Sequence, residues 1–421
     1  MIDEEEDNML MEAALQILEQ HLNAPMIEPL DFSDSEDDTD NSSGEEINSD
    51  EEEDLPAIFA DQEEHVRNEN YVIDVVYYLS DRDFRSHFRL SRTAVEELYL
   101  ELNNPVEQTV GRPRIPMAHV LLLSLWILAT KESFRSVADR FGLDRGHAHV
   151  LCMQIYQKMY ESRNTWIRWP TGAAAVRCID DFADLGIPGV IGVVDGSYIE
   201  IPGPVHDDSY YNRKGFHSAT LQGICDSHMR FIDVFTGFPS SVNDARVWAH
   251  SPIGRALAQN HEAHLPPGSF ILGDKAYPCR VYLISLFKDD GHMTAQKVQF
   301  NTRLSKVRVV IENAFGRLKG IFRRMKNLEI TNLNYFKYYT MAACILHNIV
   351  LEERFNLGDL DFEPDIDEND DDDDDDDDED DDDDDDDNVE VGNAAPVAGN
   401  VANETGPERR IRLMNVVVPP L

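Results

Sequence analysis

Residues 190–201 read Val-Ile-Gly-Val-Val-Asp-Gly-Ser-Tyr-Ile-Glu-Ile, an apolar, β-branched run with a single acid, Asp195, at its centre. Such a run forms a strand packed on both faces, because only a central strand buries consecutive Val and Ile side chains. An ionised carboxylate inside it must meet a cation or give up its charge. Asp195 therefore reads either as a metal ligand or as a structural acid in an unusual place. Three later segments again set an acid in an apolar or turn context: Ser241-Val242-Asn243-Asp244, Phe270–Tyr277 around Asp274, and Val309–Gly316 around Glu312. Four carboxylates placed in this way suggest one cluster.

Charge divides the chain. The 421 residues carry a formal −44, but residues 1–66 hold 24 acids and no Lys or Arg, and residues 359–421 hold 27 acids and three Arg. The second segment includes 18 consecutive acids from Asp370 to Asp387. Between them, residues 67–358 carry 30 acids against 34 Lys and Arg, a mildly basic core. DNA is thus an admissible partner, because phosphate neutralisation supplies most non-specific affinity. Cys152, Cys178, Cys225, Cys279 and Cys344 are scattered, which indicates neither a disulfide framework nor a zinc finger. The most apolar stretch, Val120–Ala129, is too short to span a membrane, and the acidic N-terminus is unlike a signal peptide. The expectation is a soluble intracellular protein.

The pattern predicts an acidic, mostly disordered segment over 1–66, with an amphipathic helix over 3–22. A helical region follows over 67–160, then a connector over 161–186 with a helix over Ala173–Leu185, an α/β domain over 187–355 and an acidic disordered tail over 356–421. In the helical region, Ser133–Phe141, a turn at Gly142-Leu143-Asp144 and a helix from Arg145 to Tyr160 form helix, glycine turn, helix. That is the helix-turn-helix pattern, whose second helix enters a major groove. Arg135 lies on the first helix, and Arg145 and His147 open the second, where recognition residues belong. Arg112 and Arg114, in a Gly-Arg-Pro-Arg arm, have the character of a minor-groove contact. The plainer alternative is a helical bundle with a solvated basic face.

A helix predicted from Lys306 to Met325 carries Val310, Ile311, Ala314, Phe315, Leu318 and Phe322 on one side. Arg308, Glu312, Lys319 and Arg323 fall within about 80° of one another on its polar side. Glu312 is then either paired with Arg308, which is worth a few tenths of a kcal/mol, or set at a metal with the bases along a phosphate backbone. Carboxylates without spaced His or Cys suit Mg²⁺ or Mn²⁺ rather than Zn²⁺.

Several motifs together carry a family resemblance: Asp195-Gly196 after the apolar strand, Tyr211-Asn212-Arg213-Lys214-Gly215-Phe216-His217-Ser218, Asn243-Asp244-Ala245-Arg246-Val247, Gly273-Asp274-Lys275-Ala276-Tyr277-Pro278 and Arg308–Lys319. The chain resembles PIF/Harbinger-type transposases and Harbinger transposase-derived nucleases over roughly 70–350. It departs from their pattern at Ser197-Tyr198, where Thr-His is usual, and at Ser240–Asn243. The resemblance implies a ribonuclease-H-like DDE catalytic domain behind the helix-turn-helix-type region. It also implies a divalent cation, Mg²⁺ or Mn²⁺, held by Asp195, Asp274 and Glu312, with Asp244 a fourth acid. Arg213 and Lys214 join Arg308, Lys319 and Arg323 as expected DNA contacts. The expected function is metal-dependent cleavage of DNA at transposon ends, in the nucleus, with a Myb-like DNA-binding partner and homo-oligomers as further expectations. The alternative is a domesticated, non-cleaving DNA-binding or chromatin regulator on the same scaffold; a histone-binding role rests on the acidic tails alone.

Overall fold

The computed structural model describes residues 70–102, 115–204, 208–289, 291, 293–357 and 404–419. Arg112, Arg114, the 3–22 segment and the 18-acid run lie outside the described residues. The N-terminal helices are α1 (Asp81–Phe88), α2 (Arg92–Leu102), α3 (Met117–Ala129), α4 (Phe134–Arg140), α5 (Arg145–Glu161) and α6 (Gly172–Asp184). Helix α3 is apolar on every side and buried from Val120 to Ala129, so the others pack around it. Between α4 and α5 the chain reverses at Gly142, whose φ of 69° only glycine adopts without cost. Leu143 N–H then donates back to the Ala138 carbonyl at 2.8 Å. Asp144 caps α5 by accepting from the amides of Gly146 and His147.

Helix α6 is the helix expected within the connector, and it buries Ala175, Cys178 and Phe182. Cys178 and Ala175 pack with Ile191 and Val194 on one face of a sheet. That sheet has five strands among the described residues: β1 (Val190–Glu200), β2 (Ser218–Cys225), β3 (Phe231–Pro239), β4 (Phe270–Gly273) and β5 (Leu283–Ser285). Their order is β3-β2-β1-β4-β5. Strand β2 runs antiparallel to β1 and β3, while β4 is parallel to β1 and β5 to β4. Short helices α7 (Asp244–His250) and α8 (Pro252–Asn260) connect β3 to β4. Helices α9 (Ala295–Ile321) and α10 (Phe336–Leu357) follow β5. This mixed α/β arrangement fits the ribonuclease-H-like expectation, with β1 at the centre.

Helix α9 starts earlier than its sequence pattern predicts. Thr294 caps it, and Phe300, Leu304 and Val307 carry the buried stripe backwards from Ile311. It stops at Ile321, and a 3-10 turn covers Arg323–Met325. Helix α10 is buried continuously from Tyr339 to Val350. Its His347 is fully enclosed and bonds the Met229 carbonyl at 2.9 Å, a core role.

The helical region and the sheet share one core. Apolar side chains from α1 through α5 pack continuously with Val193, Leu221 and Phe231 of the sheet and with α9 and α10. Tyr156 of α5 lies 4.8 Å, ring to ring, from Tyr339 of α10. Arg324, 3 % exposed, donates to the Ile127 carbonyl at 3.2 Å and also reaches the Glu132 carbonyl. Arg85 pairs with Glu353 at 3.0 Å.

The stretch 356–421, read as a disordered tail, ends in a docked helix, α11 (Gly406–Val417). Thr405 and Glu408 form a capping box, and Met414, Val417 and Val418 are buried. Arg410 donates to the Ser285 and Leu286 carbonyls and sits 4.1 Å from the Phe287 ring centroid. Arg409 reaches the carbonyls of Ser269 and Val281. These arginines satisfy backbone acceptors at the β4 and β5 end of the sheet, which is the physical reason this segment leaves solvent.

Candidate active site

Strand periodicity decides where each acid points. In β1, Val193 pairs with Leu272 of the parallel strand β4. Two residues further along each chain, Asp195 and Asp274 leave neighbouring strands at the same level. Asp274 follows the end of β4, and its Oδ1 accepts from Ala276 N–H at 2.9 Å, which fixes the carboxylate just past the C-terminal end of that strand.

Asp195 is opposite Gly223, on the sheet face covered by Phe315 of α9. Its Oδ1 accepts from Gly196 N–H at 2.9 Å, and its Oδ2 receives Arg308 Nη2 at 2.8 Å. The same Nη2 stands 3.7 Å from Glu312 Oε1, one helical turn further along α9. Asp195 and Arg308 are 16 % and 13 % exposed, whereas Glu312 is 48 % exposed. The expected Arg308–Glu312 contact is therefore the weaker half of a bridge. Breaking the enclosed Asp195 pair would leave an uncompensated charge, at a cost on the order of 3–5 kcal/mol.

Gly196 points to the opposite face. A Cβ there would stand 2.7 Å from Asp244 Oδ1, so Asp244 at the start of α7 seats its carboxylate on a bare stretch of β1 backbone. Asn243 caps α7 and holds Asp244 in its first turn. Asp244 thus approaches β1 from the side away from α9. On that side the Thr220 hydroxyl and both ends of the Gln222 amide are enclosed without a hydrogen-bond partner.

The acids feel one another. Burial pushes Asp195 up to about 6, with Arg308 pulling it down and the charge of Asp274 pushing it up. Burial pushes Asp244 up to about 7, reinforced by Asp195 and Asp274 and opposed by Arg213 and Arg308. Buried carboxylates that repel one another favour either a proton or a cation between them. Tyr277, packed against Gly273, has an enclosed hydroxyl without a partner beside the same three aspartates. Among the described residues, no group of three or more His, Cys, Asp or Glu side chains is arranged to hold a metal ion as it stands. The donor chemistry still suits one, since every acid offers hard oxygen ligands and Arg308 offsets their mutual repulsion only in part.

The comparisons bear on this geometry. The family described as DDE superfamily endonuclease matches residues 194–348, from β1 to α10. "Putative nuclease HARBI1" of Bos taurus is 30 % identical over 266 residues, covering 61 % of this chain and 73 % of that protein. The Homo sapiens protein of the same name matches to the same extent. The chain belongs to the Harbinger-derived DDE endonuclease family. The Arabidopsis thaliana protein named Antagonist of Like Heterochromatin Protein 1 is also similar, 24 % identical over 298 residues, covering 65 % of this chain and 74 % of that one. No solved structure matches. In this member of the DDE endonuclease family the match begins one residue before Asp195 and takes in Asp244, Asp274 and Glu312.

The expected DNA contacts are distributed unevenly. Arg213 and Lys214 are exposed on the turn between Tyr211 and His217, and Arg213 acts on Asp244. Arg135, Arg145 and His147 are exposed on α4 and the first turn of α5, while the later turns of α5 bury Ile155, Tyr156 and Met159. Lys319 and Arg323 are half-buried near the end of α9. Arg308 faces Asp195 instead of the polar surface its helical position implies. Sequence reasoning missed that inward turn, although the acid in an apolar strand already required a cation. It also missed Gly196, whose missing side chain makes room for Asp244.

Proposed function

We propose that this chain is a divalent-metal-dependent DNA endonuclease of transposase type, cutting phosphodiester bonds at transposon ends. The observation that carries the reading is the placement of Asp195 on β1 level with Asp274 just past the end of the adjacent parallel strand β4, with Glu312 brought beside Asp195 on α9 through Arg308. Asp195, Asp274 and Glu312 would hold Mg²⁺ or Mn²⁺, and Asp244 would contribute from the other side of β1. When bound, such cations activate the attacking water or hydroxyl and stabilise the leaving oxygen.

The chain's own residues set the rest. Buried β1 and β4 fix two carboxylates on rigid backbone, so the site loses little geometry to side-chain motion. Arg213 and Lys214 on one side, and Lys319 and Arg323 on the other, supply positive charge to position a phosphate backbone. The exposed first turn of α5, with Arg145 and His147, provides a second DNA contact on the same rigid body. A Myb-like partner protein and a nuclear location follow from the family resemblance.

The test searches the DNA on either side of the coding sequence for terminal inverted repeats and incubates such ends with the chain and its partner. The expected result is cleavage in Mg²⁺ or Mn²⁺ and none in chelator. Equal cutting in chelator would contradict it. A second reading, a non-cleaving chromatin regulator, has one observation in its favour: the plant relative is named as an antagonist of a heterochromatin protein. Metal-independent DNA binding with no cleavage of verified ends would support that reading.

A further inference from the structure

The acids of this site already share a cation, and it belongs to the chain. Arg308 Nη2 lies 2.8 Å from Asp195 Oδ2 and 3.7 Å from Glu312 Oε1. Asp274 acts on it as well. The guanidinium is enclosed, yet its Nε has no hydrogen-bond partner. A structural Arg–carboxylate pair buried in a core is usually bidentate, with the planar fork satisfied. Here one prong carries the hydrogen bond to Asp195 and an enclosed donor is left unused. That is the geometry of a counter-ion held by charge, and it stands where divalent cations would have to contact the same carboxylate oxygens.

We propose that Arg308 is the resident counter-ion of the unloaded site and that it competes with the divalent cation for Asp195, leaving that carboxylate when metal enters. The proposal rests on the nuclease reading above. It makes Arg308 a positioning residue: it keeps Asp195 and Glu312 together before loading, and it weakens metal affinity by having to be displaced. An arginine that served packing alone would stabilise the fold without changing how tightly metal binds.

The test is Mn²⁺ titration of the full-length chain, read as bound against free Mn²⁺ by electron paramagnetic resonance and as the metal-induced rise in unfolding temperature. Binding that survives in Asp195→Asn/Asp274→Asn, which keeps both acidic tracts, is subtracted. Arg308→Met should melt below wild type in chelator and bind Mn²⁺ about tenfold tighter or more, because a unit charge next to the metal position has been removed. If the Met variant unfolds in chelator, Mn²⁺ should refold it. Arg308→Lys keeps the charge and should stay within about threefold of wild-type affinity. The double variant Arg308→Met/Asp195→Asn should regain metal-free stability and lose the added affinity. Equal or weaker Mn²⁺ binding by Arg308→Met, with wild type binding normally, would overturn the proposal and leave the nuclease reading standing. Absence of site-specific Mn²⁺ binding in wild type and Arg308→Met alike would overturn both.

Discussion

Asp233 stands on β3 opposite Ile224, with its Oδ2 enclosed and no partner. Burial pushes it from 3.8 up to about 7. The folded state therefore keeps a proton that the unfolded state has already released, so this contribution to stability is full below about pH 4 and is lost as pH rises to about 7. Asp195 and Asp244 shift in the same direction. Asp233→Asn cannot ionise, so its unfolding free energy should fall less steeply between pH 4 and 7, and at pH 8 it should exceed wild type by on the order of 1–3 kcal/mol. Parallel slopes for the two proteins in denaturant titrations would contradict this. At this scale Asp195 was legible, because a carboxylate inside a Val/Ile run demands an explanation. The partner it found was not legible, since helical spacing alone gives Arg308 the same weight as Lys319 and Arg323.

The strands and the capped helices follow their sequence signals closely: Asp144 before α5, Asn243 before α7 and the β-branched run of β1. Two elements escaped. The front of α9 is polar enough between Ala295 and Lys306 to hide a stripe that includes Phe300 and Leu304. Helix α11 lies behind a long acidic segment whose composition dominates, although Thr405-Gly406-Pro407-Glu408 is a capping-box signature with proline in the first turn. Gly406 marks how closely that helix sits, because a Cβ there would stand 2.5 Å from the Cys279 carbonyl oxygen. A chain ending at residue 403 should lose the cover over the Ser285 and Leu286 carbonyls and the burial of Met414 and Val417. The expected cost is on the order of 3 kcal/mol, seen as a lower thermal midpoint. An unchanged midpoint would mean that α11 does not stabilise the domain.

For the whole molecule, the shared core makes the helical region and the five-stranded sheet one body, which places α5 and the acids in a fixed relation. Charge remains the largest feature outside the described residues. Replacing Asp370–Asp387 with an uncharged Gly/Ser segment of equal length keeps α11, whereas truncation after Leu357 would remove it. If the acidic run competes with DNA for the basic residues of the core, the replacement should raise non-specific affinity at low salt, with the gain shrinking as salt rises. Unchanged affinity across the series would make the run a solubilising segment. The central claim is that the acids on β1 and β4 perform metal-dependent cleavage, and it is tested most directly by Asp274→Asn on cognate ends with Mn²⁺. The account predicts that DNA binding stays within about threefold of wild type while cleavage falls by about three orders of magnitude or more; cleavage at the wild-type rate by a folded, DNA-bound Asp274→Asn would contradict it.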